Sequence, residues 1–158
     1  MNMGRVKVVL WVLAGLLVAA QFVQPKRTNP SVVASRGLEA HVPVPAQVSS
    51  ILKRSCYDCH SSVTVWPWYS HVAPVSWLLV DDVNQGRSHI NFQDWEAQEN
   101  AAEANEHLRT ICKEVQDGGM PPLTYRMMHK ASRLAPQDIN SICSWSRSFT
   151  QTSKGNGN

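Results

Sequence analysis

The run Cys56-Tyr57-Asp58-Cys59-His60 constrains this chain more than any other feature of its sequence. C-x-x-C-H is the attachment signature of c-type haem: the two thiols add across the vinyl groups, and the neighbouring imidazole becomes an axial iron ligand. Two intervening residues let one tight turn present both sulfurs, and the next side chain then points at the iron. Two rival readings use the same residues. A redox dithiol needs its C-x-x-C at a strand-to-helix junction of an α/β sheet. A structural zinc site could draw on Cys56, Cys59, His60 and His71, but it leaves an export signal and a downstream Met-Pro loop unexplained.

The export signal is the N-terminus. Arg5 and Lys7 precede an apolar run from Val8 to Val23, broken only by Gln21, and Pro25-Lys26-Arg27 follows. A positive segment before an apolar one is an address. Sixteen residues at about 1.5 Å each fall a little short of a ~30 Å hydrocarbon core, which flanking Lys and Arg offset by snorkelling. An uncleaved signal anchor over residues 1–24 is therefore expected, with cleavage near Ala20 as the alternative. No Cys lies near the apolar run, which excludes a lipoprotein anchor. Basic residues on both sides leave orientation open by charge. Covalent haem attachment in bacteria follows export, so the domain should face the periplasm from the inner membrane, or the outer surface of a Gram-positive one. Arg5 and Lys7 aside, 13 basic residues stand against 12 acidic ones. That balance excludes a nucleic-acid footprint and gives no strong field to steer a redox partner.

Residues 25–44 are rich in Pro, Ser and Val without a sustained period and read as an extended tether. From 45 to 149 the periodicity is helical. Val48, Ile51 and Leu52 carry one helix to Cys56; Val75, Leu78, Leu79 and Val83 mark a second, which starts at Pro74 and ends at Gly86. A third spans roughly 96–117 with Leu108, Ile111, Cys112 and Val115 on its stripe. A last begins at Pro136 with Ile139, Ile142 and Cys143, and a disordered polar tail occupies 150–158. No strand alternation survives. The expected fold is all-α: a domain of about four helices with long loops behind one membrane helix.

An iron with one His needs a second ligand or an open position, and that choice separates carriers from sensors and enzymes. Met120, in Gly118-Gly119-Met120-Pro121-Pro122, is the leading distal candidate, on a loop freed by glycines and stiffened by prolines. His71 would give bis-His ligation, and Met127, Met128 and His129 are further competitors; His41, His89 and His107 read as surface histidines. Trp66, Trp68, Tyr69 and Trp77 are candidates to wall the haem, or simply core. Cys112 and Cys143 fall on packed helix stripes, and in an oxidising compartment they form a candidate disulfide.

Beyond these local readings, the run Cys56–Ser62 followed by Trp66-Pro67-Trp68-Tyr69-Ser70-His71-Val72-Ala73-Pro74-Val75-Ser76-Trp77 resembles the bacterial haem-binding domain family. Asp81-Asp82-Val83, Asn91-Phe92 with Trp95, Met120-Pro121 and Leu134-Ala135-Pro136 match that pattern in order, so the resemblance covers residues 40–148. It implies a membrane-anchored, cytochrome c-like protein with one haem c held by Cys56 and Cys59 and ligated by His60; Met120 stands at the family's Met-Pro position. The chain departs at Ala135, where a Ser cap is expected. The expected function is single-electron transfer with a redox partner protein. The alternative is a haem sensor or binding module with an open or exchangeable distal site. Peroxidase-type catalysis would need a distal acid-base group, for which His71 is the one candidate, so an electron carrier is favoured over an enzyme.

Overall fold

The computed structural model describes residues 3–95 and 101–155, with side chains described over 3–95 and 103–149. Eight helices and no strand are present among the described residues: α1 (Met3–Ala20), α2 (Leu38–His41), α3 (Ala46–Ser55), α4 (Tyr57–His60), α5 (Val75–His89), α6 (Ala101–Gln116), α7 (Leu123–Met128) and α8 (Pro136–Gly155). The all-α expectation holds. Helices α3, α5, α6 and α8 are the four the periodicity marks; α2, α4 and α7 are one or two turns each, too short for a periodic signal to register. The start of the third expected helix, over 96–100, lies outside the described residues.

Helices α6 and α8 pack as an antiparallel pair against α3. Leu108, Ile111 and Val115 of α6 meet Ile142 and Cys143 of α8, while Val48, Ile51 and Leu52 of α3 close the same core. Each such side chain contributes roughly 1.5–3 kcal/mol when fully removed from water. Ser146 is buried between the pair and donates to the Leu108 carbonyl at 2.7 Å. Cys112 and Cys143 are disulfide-bonded across the two helices, with Cα atoms 4.8 Å apart. Trp95 and Trp145 are core, and the Trp145 indole donates to the Pro43 carbonyl at 2.9 Å.

Three boundaries differ from expectation. The tether of 25–44 is docked, not free: Leu38 and Val42 are fully buried, and the Leu38 N–H donates to the Phe92 carbonyl at 2.8 Å. Leu38 and Val42 stand one helical turn apart, and a single turn among Pro, Ser and other Val residues is too short to register as a sustained period, which is why the sequence conceals them. Gly86 does not end α5, which runs on to His89; its role is a close contact described below. Helix α8 continues to Gly155 past the expected start of a disordered tail at Thr150, with residues 156–158 outside the description. Extending a helix from a packed stem costs little per residue, since nucleation has already occurred.

The missing Ser cap at Ala135 is replaced from inside the helix. Asp138, three residues on, accepts the Ala135 N–H at 2.8 Å and pairs with Arg54 of α3 at 2.6 Å. Arg54 also donates to the Ala131 and Arg133 carbonyls, so one guanidinium ties α3 to the segment entering α8. Desolvation pushes the Asp138 carboxyl up, but the Ala135 N–H and the Arg54 guanidinium outweigh it and hold it below its ordinary value of 3.8.

Two outcomes follow. Replacing both Cys112 and Cys143 with Ala should lower unfolding stability by about 3 kcal/mol, because a loop of this length is no longer closed in the unfolded chain; urea unfolding measures it. Asp138→Ala should cost about 1 kcal/mol near neutral pH through the lost cap. A depressed carboxyl stabilises above its unfolded pKa, so that cost should vanish as pH falls through the folded value. Acid titration of both proteins checks the sign.

Candidate functional site

The attachment turn begins where α3 stops. Cys56 (φ −127°, ψ −34°) breaks the helix while its N–H still donates to the Leu52 carbonyl at 2.8 Å, and its own carbonyl accepts the Cys59 and His60 N–H groups at 3.1 and 2.9 Å. The chain thus makes one new turn, α4, on a shifted axis. Tyr57 anchors it from below, buried and stacked on Phe92 with ring centroids 5.3 Å apart. The two thiols stand free and half-buried on this turn. Burial, followed by the neighbouring Cys59, pushes the Cys56 thiol up to about 12; burial, then Asp58 and Asp82, raises Cys59 to about 11. Redox-active dithiols show the opposite shift, toward thiolate. The zinc reading lacks its geometry: among the described residues, no three His, Cys, Asp or Glu side chains are grouped to hold a metal ion. His71 is exposed on a separate turn.

Helix α5 lies directly against the turn. A Cβ on Gly86 would sit 2.7 Å from the Cys59 carbonyl oxygen and 3.3 Å from the Cys59 Cβ, so only glycine allows this approach. The same helix end orients His60. Its Nδ1 lies 3.1 Å from the Ile90 carbonyl. A carbonyl only accepts, so Nδ1 carries the proton and Nε2 keeps its lone pair, the arrangement found in metal-bound histidines. Burial lowers the His60 pKa below its ordinary value, against weaker raising by the Ile90 and Gly86 carbonyls.

The far side of the turn is clamped through Asp58 and Arg87. Asp58 accepts the Val65 N–H at 3.1 Å and the Tyr125 hydroxyl at 2.6 Å, and its carbonyl accepts Thr64 Oγ1 at 2.7 Å. Arg87 donates to the Ser61 and Thr28 carbonyls, both at 2.7 Å, and to Thr64 Oγ1 and Asn29 Oδ1. These bonds fix both exits of the motif.

Above the turn opens a cavity of about 910 Å³. Cys56, Cys59 and His60 form one wall, Leu78, Leu79 and Gly86 of α5 a second, and Ile111 and Val115 of α6 a third. Met120 and Pro121 border it from the loop after α6, so the two expected axial residues share one cavity. That loop reverses at Gly118, whose φ of +74° suits glycine, and the Met120 N–H returns to the Glu114 carbonyl at 3.1 Å.

The remaining candidates divide. Tyr69 and Met128 line the cavity; Trp66, Trp68, Trp77, His71, Met127 and His129 do not. Trp68 is 75% exposed, and the Trp77 indole donates to the Val23 carbonyl at 2.6 Å instead of facing the cavity. In place of the three tryptophans the cavity is lined by Leu78, Leu79, Ile111 and Val115, and of Trp66, Trp68, Tyr69 and Trp77 only Tyr69 borders it. His129 is committed elsewhere, with Nε2 3.1 Å from Tyr69 Oη and its ring 4.2 Å from that of Tyr125. Sequence reasoning missed Tyr125 and placed His107 at the surface, whereas it is half-buried and lines the cavity; His89 also borders the cavity but is exposed, as expected. The signal for His107 exists: it stands four and eight residues before Ile111 and Val115, on the same helix face. Nothing in the sequence announces Tyr125.

Comparison with known families bears on what such a cavity could hold. The haem-binding domain family matches residues 15–148. The chain belongs to that family. No curated protein and no solved structure gives a significant match. Family membership establishes haem binding, and the match takes in the whole of the cavity wall. The residues fit the group: the volume lies in the range of cofactor pockets, the walls are mainly apolar, Cys56, Cys59 and His60 all line the same cavity, and Gly86 lets α5 approach the backbone at Cys59.

Glycine inside a helix costs roughly 0.5–1 kcal/mol relative to Ala. Gly86→Ala should nevertheless destabilise, by about 1–3 kcal/mol, because the methyl meets backbone that cannot move aside. Haem content per chain should fall with it. Thermal unfolding and the Soret absorbance per protein check both; a more stable variant would show that the contact is slack.

Proposed function

We propose that this protein carries one covalently bound haem c and passes single electrons on the outer side of the cytoplasmic membrane, to which α1 tethers it. The observation that carries the reading is the shared cavity: Cys56, Cys59 and His60 on one wall, Met120 at its border. In this reading Cys56 and Cys59 form the thioether links. His60 supplies Nε2 as proximal ligand, held in register by the Ile90 carbonyl, and Met120 supplies its thioether as distal ligand. When bound, the haem iron provides a one-electron couple, whose potential a thioether raises relative to a second imidazole. The chain's own part is to fix ligand orientation and to exclude water with Leu78, Leu79, Ile111 and Val115. The Cys112–Cys143 disulfide supports an oxidising compartment, in agreement with a domain that faces the periplasm. We assign no catalysed reaction to the site.

The alternative, a sensor or binding module with an exchangeable distal position, draws on the partial exposure of Met120, 36% on a loop. One variant separates the two. Met120→Ala should abolish the weak long-wavelength ferric band of thioether ligation, lower the reduction potential and let the ferrous form bind carbon monoxide. Fast carbon monoxide binding by the unmodified protein would contradict the carrier reading and favour the sensor.

A further inference from the structure

The segment that leaves α1 does not wander away from the domain. Gln21, one residue beyond the end of α1, bonds to both backbone groups of one buried residue: its Oε1 accepts the Ala73 N–H at 3.0 Å, and its Nε2 donates to the Ala73 carbonyl at 3.1 Å. Two residues on, the Val23 carbonyl accepts the Trp77 indole N–H at 2.6 Å. Arg27 then donates to the Ser70 carbonyl at 2.9 Å, and Asn29 to the Thr64 carbonyl at 2.9 Å. Four successive side-chain contacts thus hold the loop 64–77 against the exit of the membrane helix.

That placement gives a meaning to an otherwise costly surface. Trp68, Val72, Val75, Trp77 and Leu78 are 75, 42, 44, 40 and 67% exposed and lie within eleven residues around the Ala73 anchor point. Val75 and Leu78 also border the cavity. No residue of α1 is buried, and its 18 residues span about 27 Å at 1.5 Å each, close to a hydrocarbon core. If α1 spans, Ala73 sits at the bilayer surface. Tryptophan is enriched at that depth, where its ring meets lipid and its N–H finds a polar partner; the Trp77–Val23 bond is such an arrangement.

We propose that Trp68, Val72, Val75, Trp77 and Leu78 seat the domain on the lipid surface, so that the Val75–Leu78 side of the haem cavity opens against the bilayer. The occupant of this apolar face is lipid, not a second protein. The face is continuous with the membrane helix through Gln21, and exposed Phe22 and Lys26 beside it supply the apolar and basic flank of an interfacial anchor. The proposal rests on the reading of α1 as an uncleaved anchor.

Hydroxyl-radical footprinting of the full-length holoprotein tests it, at one chain per nanodisc of phosphatidylcholine and phosphatidylglycerol, so that protein–protein contact is excluded. Labelling is scored against each residue's solvent exposure, with exposed His41 as the water-facing reference. Expected is several-fold protection of Trp68, Trp77 and Leu78, together with Trp11 inside α1. Protection of Trp11 with full labelling of Trp68 and Leu78 would overturn the seating while leaving the anchor intact. Labelling of Trp11 would remove the anchor, and the seating with it.

Discussion

The backbone-to-backbone approach of α5 at Gly86 to the turn at Cys59 is the contact on which the rest of the site depends. It sets the depth at which the two thiols and the His60 ring stand beneath the cavity, and it delivers the Ile90 carbonyl that fixes the His60 tautomer. A methyl group at position 86 would force the helices apart and loosen the imidazole at the same time. Packing and ligand geometry are therefore one constraint here, not two. The remaining clamps, Asp58 with Tyr125 and Arg87 with Ser61, hold the chain on either side of that contact.

Much of this arrangement is legible in the amino-acid order. The stripes Val48-Ile51-Leu52 and Leu108-Ile111-Val115 have helical spacing and are core, because burial of one face is what the spacing records. The paired stripes of α6 and α8 likewise place Cys112 opposite Cys143. Other features leave no local trace. Gly86 reads as a helix end because the residue gives the same signal whether it terminates a helix or admits a neighbour. Leu38 and Val42 look like tether until tertiary contacts bury them. The tryptophans mislead for a related reason: an aromatic cluster fits a cofactor wall, a core or a membrane face equally well in sequence. Trp95 and Trp145 are core, whereas Trp68 and Trp77 face outward.

The segment from Gln21 to Asn29, expected as part of a leash, is a strap. Hydrogen bonds to Ala73, Ser70 and Thr64 leave little slack between α1 and the domain. If α1 spans a membrane, a haem held above the Cys56–His60 turn would keep a defined height over the bilayer. Such restriction would limit the partners able to reach the iron to those presenting themselves at that height, which a flexible tether would not do.

Covalent attachment at Cys56 and Cys59 is most directly tested by the intact mass of the denatured chain after export from a host with haem-attachment machinery. The expected mass exceeds the polypeptide by one haem, and the excess should survive acid and reductant and disappear when both cysteines are replaced by Ser. A chain that releases its haem on denaturation, leaving the bare polypeptide mass, would contradict the thioether links and leave only non-covalent binding.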